Sequence, residues 1–159
     1  MIGLAGAHAA HADYNLVSVG PSFGTVTVRE EGDTLMAYSL DVTLSEGNVL
    51  RELFTPWISV GTRIAAGNHV FPYAELGINM FVNIGAGYGG VYNGDDGYRQ
   101  CAHIFFGVPV PLMKLGNMED NRGFMYVPYF EPYYRPVFSL GRELLFHEFG
   151  CLVKVALWF

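Results

Sequence analysis

The sequence predicts an all-β chain that closes into an eight-stranded antiparallel barrel. Apolar residues recur at every second position through most of its 159 residues, the period of a pleated strand and not of a helix. Clusters of turn-forming residues punctuate that alternation: "REEGD", "LSEGN", "AAGN", "NGDDG", "NMEDNRG" and "SLGRE". The longest apolar stretches, such as "HIFFGVPVPLM", fall short of the roughly 20 residues that a membrane-spanning helix needs. A chain of this length makes one domain, and nothing in it reads as a linker.

The turn clusters divide the chain into strands at 14–29, 34–45, 54–65, 69–78, 82–92, 98–113, 124–138 and 143–159. The second is the clearest: in "TLMAYSLDVTL", Met36, Tyr38, Leu40, Val42 and Leu44 alternate with Leu35, Ala37, Ser39, Asp41 and Thr43. In "HVFPYAELGINMFVNIGAGY" one parity runs from Val70 to Ile84, longer than an ordinary strand, so a hairpin turn is expected somewhere in 78–84. The sixth strand sets Ala102, Ile104, Phe106 and Val108 against Arg99, Cys101, His103 and Gly107. The seventh sets Phe130, Tyr134 and Phe138 against Glu131, Tyr133 and Arg135. In the last, Phe149, Cys151, Val153, Val155, Leu157 and Phe159 share one face, opposite Glu148, Gly150, Lys154, Ala156 and Trp158.

Ahead of these strands, "MIGLAGAHAAHA" ends in small residues of the A-x-A type and reads as the tail of a secretory signal peptide cut after Ala12; a disordered Ala/Gly tail is the alternative. Residues 13–159 are the barrel domain.

Alternation alone does not say which face is outside, because a lipocalin-like soluble barrel has the same period with its apolar face inward. The content of the polar face decides. A soluble exterior is dense in Lys and Glu, whereas this face carries Gly, Ser, Asn and a sparse, balanced set of charges: Asp41, Glu75, Glu131 and Glu148 against Arg63, Arg99, Arg135 and Lys154. His103 joins them. Such groups suit a closed interior in which they pair with one another. The opposite face, almost free of charge and fringed by Tyr and Phe, suits lipid. The expectation is therefore an up-and-down transmembrane barrel with membrane lipids as its surroundings. A net charge of −6 without any Lys/Arg cluster argues against nucleic acid.

The last strand, with an apolar residue at every second position back from Phe159, resembles the assembly signal of bacterial outer-membrane β-barrel proteins, with Val153, Val155, Leu157 and Phe159 as its residues. "PYAELGINMF", and "VPVPLMKLG" followed by a turn and "VPYFEPYY", resemble segments of small barrels of the OmpX-like and OmpW-like kind, over about residues 34–159. The resemblance implies an outer-membrane location, the barrel-assembly machinery as a partner, and a structural role or binding through loops, with that partner unspecified.

Enzymes also exist among such barrels. A PagL-like site needs a His and a Ser two apart, and a PagP-like site a His with an Asp-Ser pair; the sequence has neither. A lipid-modifying barrel with lateral lipid access stays as the alternative, and a soluble carrier as the third. No His, Cys, Asp or Glu pair has metal-ligand spacing, "NGDDG" lacks the further ligands of a calcium loop, and "GAGYGG" has no helix after it to make a nucleotide loop. No cofactor is expected. Cys101 and Cys151 fall on opposite faces of different strands, which disfavours a disulfide.

Prolines stand out in a sheet without free edges. Pro128, Pro132 and Pro136 share a parity, so their missing donors all face the same neighbouring strand, and Pro109 and Pro111 repeat the pattern one strand earlier. Either these absences weaken one seam, through which a lipid tail can enter, or the prolines lie in bulges and strand ends beyond the ladder.

The terminal signature makes a direct prediction. Phe159→Asp is expected to block assembly into the outer membrane, read by fractionation and by heat-modifiable gel mobility; folded protein at wild-type yield in that membrane contradicts the assignment.

Overall fold

A computed structural model of the chain describes residues 15–28, 34–46, 54–66, 69–93, 97–112, 125–141 and 143–158. The N-terminal segment read as a signal remnant and the terminal Phe159 lie outside them. Among the described residues every regular element is a strand: β1 (Asn15–Val28), β2 (Thr34–Glu46), β3 (Thr55–Ala65), β4 (His69–Asn79), β5 (Asn83–Asn93), β6 (Gly97–Gly107), β7 (Val110–Pro111), β8 (Met125–Ser139) and β9 (Leu144–Trp158).

The sheet order is β6-β5-β4-β3-β2-β1-β9-β8-β7, all antiparallel, and β6 also pairs with β8. That last pairing closes the sheet and leaves no free edge. Because β7 continues the line of β6 after a two-residue break, the wall counts eight strands. The sixth predicted strand, 98–113, is thus two pieces, interrupted at Val108 and Pro109, where Pro132 on the facing strand accepts from Val108 but has no N–H to donate in return. The hairpin expected within 78–84 is the turn 80–82, where the Met80 amide donates to the Val82 carbonyl (3.0 Å) and Phe81 takes a left-handed φ of 70°.

Both terminal strands end on one rim, with the connections between β2 and β3 and between β7 and β8. On the far rim the strands are joined by the short intervals 29–33, 66–68, 94–96 and 140–143. Alternation governs most of the wall: β3 reads buried and exposed by turns from Thr55 to Ala65, with one half-buried glycine, Gly61. Leu40, Ile58, Ile64, Leu76 and Phe149 point out, each at least half exposed, while Asp41, Ser59, Arg63, Glu75 and Glu148 point in and are buried.

Seven of the eight wall contacts are ladders with short gaps at most. The exception is the seam between β6/β7 and β8. Its pairs run Cys101↔Ser139, Ala102↔Phe138 and His103↔Val137, skip residues 104 and 105, resume at Phe106↔Tyr134 and Gly107↔Tyr133, skip again, and end with Val110↔Phe130 and Pro111↔Tyr129. The Pro132 and Pro128 carbonyls accept from Val108 and Leu112 across this seam, both at 3.0 Å. In an antiparallel strand a residue's N and O face the same neighbour, so the absent donors of the β8 prolines face here too. On the other side β8 pairs with β9 from Met125 to Phe138, with one register shift at Val137/Phe138. The β8 prolines thus mark the interrupted seam, which keeps one register throughout; Pro109 and Pro111 face the other way, toward β5, because Val108 and Leu112 are the residues that donate across it.

Amide hydrogen exchange in folded, detergent-solubilised protein is expected to be faster for residues 104–108 than for residues 58–64 of the uninterrupted β2–β3–β4 ladders. Equal protection contradicts an open seam.

Candidate functional site in the barrel interior

The interior is built by parity. Each strand sends every second side chain inward, and a barrel this narrow brings residues from opposite walls into contact. Three layers result.

At the far rim Val26, Ala37, Ala65, Phe71, Tyr73, Cys101, Val137 and Phe146 pack into an apolar plug. The middle layer is ionic. Arg135 donates to both Glu75 carboxylate oxygens (3.1 and 3.2 Å) and reaches Glu148 at 3.5 Å. Arg63 pairs with the same Glu148 carboxylate, which also accepts from the Tyr133 hydroxyl. His103 Nε2 lies 2.9 Å from Glu75. The Arg135 guanidinium sits over the Tyr73, Phe105 and Tyr133 rings, with its centre 4.5, 5.1 and 5.2 Å from their centroids. Asp41 joins through Ser39, whose hydroxyl donates to it at 2.7 Å and itself contacts Ser22 and Arg63.

Toward the terminal rim the third layer is polar and less full. Lys154 donates to Thr43 (2.9 Å) and stands 3.9 Å from Glu131, which accepts from Asn83. Tyr129 donates to Ser18 (3.1 Å) and Thr43 to Ser59 (3.0 Å). A small recess of about 10 Å³, room for about one water molecule, is lined by Trp57, Phe105, Lys154, Glu131 and Asn83 among others. Trp57 Nε1 and Asn83 Oδ1 have no hydrogen-bond partner among the described residues.

Glycines on the inward parity make the room. A Cβ on Gly150 would meet the Tyr133 hydroxyl at 2.5 Å, and one on Gly61 the Tyr73 hydroxyl at 2.5 Å and Asp41 at 2.6 Å. Inward glycines of "GAGYGG" serve the same end: Gly87 faces the His103 ring and Gly89 the Phe71 ring.

Of the residues predicted for the interior, Asp41, Arg63, Glu75, His103, Glu131, Arg135, Glu148 and Lys154 are all buried. Arg99 is not. It has the inward parity but stands two residues from the start of β6 at the far rim, beyond the apolar plug, and is exposed. The interior therefore holds four carboxylates and three permanent cations, with His103 as the fourth base. Predicted from sequence without named partners, or missed, were Tyr133, Tyr73, Tyr129, Asn83, Thr43, Ser22 and Ser39; inward parity was the signal available for them. Of the terminal signature, Val155 is exposed and Val153 half-buried on the outer face, and Leu157 lies within β9 with its side chain outside the described set.

His103 and Glu75 are arranged as a base and its orienting acid, but no hydroxyl or thiol among the described residues hydrogen-bonds the imidazole, and both side chains are walled in. What this arrangement does chemically is brace opposite walls. Among the described residues no group of three or more His, Cys, Asp or Glu side chains converges as for a metal ion, and both cysteines are free, Cys101 buried and Cys151 half-buried. Compared with protein-family models, with curated proteins and with solved structures, the chain matches none.

Removing one partner of this network strands a buried charge. Arg135→Leu is expected to destabilise the barrel by about 3–5 kcal/mol in urea unfolding from detergent micelles. A loss below about 1 kcal/mol, the level of an exposed ion pair, contradicts the bracing role.

Proposed function

We propose that the chain is an integral outer-membrane β-barrel, up-and-down in topology, with a structural role or a binding role carried by its loops, and with an interior too filled to conduct. One observation carries the reading: among the described side chains, the outward face of the strands bears no Asp, Glu, Lys or Arg, while seven of these charged residues are buried inside. In water that distribution is inverted, because apolar area left exposed and charges taken inside both oppose folding. In a bilayer it is favourable on the outside, and the pairs described above compensate the inside.

Strand length agrees. The eight wall strands run from 11 to 15 residues, enough for the roughly 9–11 that a tilted strand needs to cross the hydrocarbon. Outward tyrosines Tyr38, Tyr88, Tyr92, Tyr98 and Tyr134 gather in the far-rim half, as an interfacial girdle does. Membrane lipids and the barrel-assembly machinery are the partners this reading implies. A loop-binding partner would meet the two longest connections, which share the terminal rim.

A soluble carrier needs an apolar interior, and this one is ionic. The lipid-modifying alternative needs a nucleophile in reach of a base and of lipid, and His103 offers neither.

Arginine placed outward tests the faces. Leu40→Arg and Ile104→Arg are each expected to cost about 2–4 kcal/mol of unfolding free energy in liposomes if those positions lie near the bilayer midplane, with an outward threonine near the far rim, Thr27→Arg, costing about 0–1 kcal/mol. Equal tolerance at all three positions contradicts the lipid-facing assignment.

A further inference from the structure

One polar pair interrupts the apolar exterior. His147 on β9 is the outward face's one imidazole among the described side chains, half-buried, and its Nδ1 lies 2.7 Å from the Tyr134 hydroxyl. A phenol is a stronger donor than a neutral imidazole, so Tyr134 donates to Nδ1 and the ring's own proton sits on Nε2. No described residue accepts from that Nε2–H. Around it lies an aromatic platform: the Tyr134 ring stacks on Phe149 (4.6 Å between centroids), His147 (5.9 Å) and Phe106 (6.4 Å).

The pair coincides with the weak seam. His147 pairs across the sheet with Pro136, at the break where residues 104 and 105 leave the β8 ladder. Proline rings are short, so the exposed Pro132 leaves a low place between taller aromatic side chains, while Pro136, paired with His147, is itself buried. His147 also stands three residues inside the far-rim end of β9, opposite Thr27 and at the end of the wall where the outward tyrosines gather, Tyr134 among them. In the membrane reading that girdle marks the headgroup depth.

We propose that this spot binds one glycerophospholipid, with the His147 Nε2–H donating to a phosphate oxygen and an acyl chain lying over Pro132 between Phe106, Tyr134 and Phe149. The inference rests on the membrane reading above. A donor without an acceptor among the described residues, on a face whose described side chains carry no carboxylate, selects an anionic or acceptor-rich headgroup.

Cys151 supplies the probe, because it pairs with Pro132 on the outer wall whereas Cys101 is wholly buried. Protein in maltoside micelles carries an environment-sensitive fluorophore on Cys151, or on V60C in a Cys151→Ala background at a distant wall position, and is titrated with a phosphatidylglycerol bearing a nitroxide on its acyl chain. Half-quenching at Cys151 is expected at an about threefold to tenfold lower lipid fraction than at Val60, the factor one net hydrogen bond contributes. The advantage is expected to vanish in His147→Phe, to survive in part in His147→Gln, which keeps an N–H donor, and to be absent for nitroxide-labelled diacylglycerol, which has no phosphate. Equal quenching at the two positions overturns the site. A Cys151 preference unchanged by His147→Phe or by removal of the phosphate overturns the headgroup assignment. Absence of quenching at both positions overturns the membrane reading instead.

Discussion

Closure of a short, alternating sheet is the constraint from which the rest follows. Once β1 pairs with β9 and β6 with β8, every side chain must go either into a narrow tube or out onto its wall, with no third surface available. The sequence places its charges on the inward parity, so the barrel must solve the problem of several ionised groups in a confined volume. It does so by sharing: Glu148 serves Arg63, Arg135 and Tyr133, and Glu75 serves Arg135 and His103. Each carboxylate thus answers more than one donor. Aromatic faces under the Arg135 guanidinium take the place that water would hold at an exposed site.

The layers divide labour along the axis. An apolar plug seals the far-rim end, the ionic layer ties walls that are not neighbours in the sheet, and the looser polar layer opens toward the terminal rim. Ties such as Arg63–Glu148 and Arg135–Glu75 join residues far apart in sequence. They stiffen the tube where a ladder is weak, and Arg135 itself belongs to the interrupted seam of β8. The proline seam is tolerable because the interior holds β8 from behind.

Much of this was legible in the sequence because a period of two is unambiguous when one face is apolar and the other is not. Strand ends were read to within one or two residues, and eight charged or His positions were placed inside by parity alone. What parity cannot give is height along the barrel, which depends on the shear between strands. Arg99 has the inward parity of His103 yet stands beyond the plug, and His103 meets Glu75 and not Glu131 for the same reason. The partners of Tyr133 and Asn83 were out of reach because they lie across the tube, set by curvature that no local pattern encodes. The break at Val108 and Pro109 was hidden differently: the proline parity of β8 announced a defect on that seam without saying whether the strand would continue past it.

The central claim is that lipid, not water, is the solvent of the outer wall. Its most direct test is refolding from urea, by dilution into buffer alone and into buffer with phospholipid vesicles, followed by far-ultraviolet circular dichroism and vesicle flotation. The account predicts β-sheet signal and carbonate-resistant flotation only with vesicles, and aggregation or disorder without them. A monomeric, β-rich protein that stays dissolved in buffer alone and does not float with vesicles would contradict it.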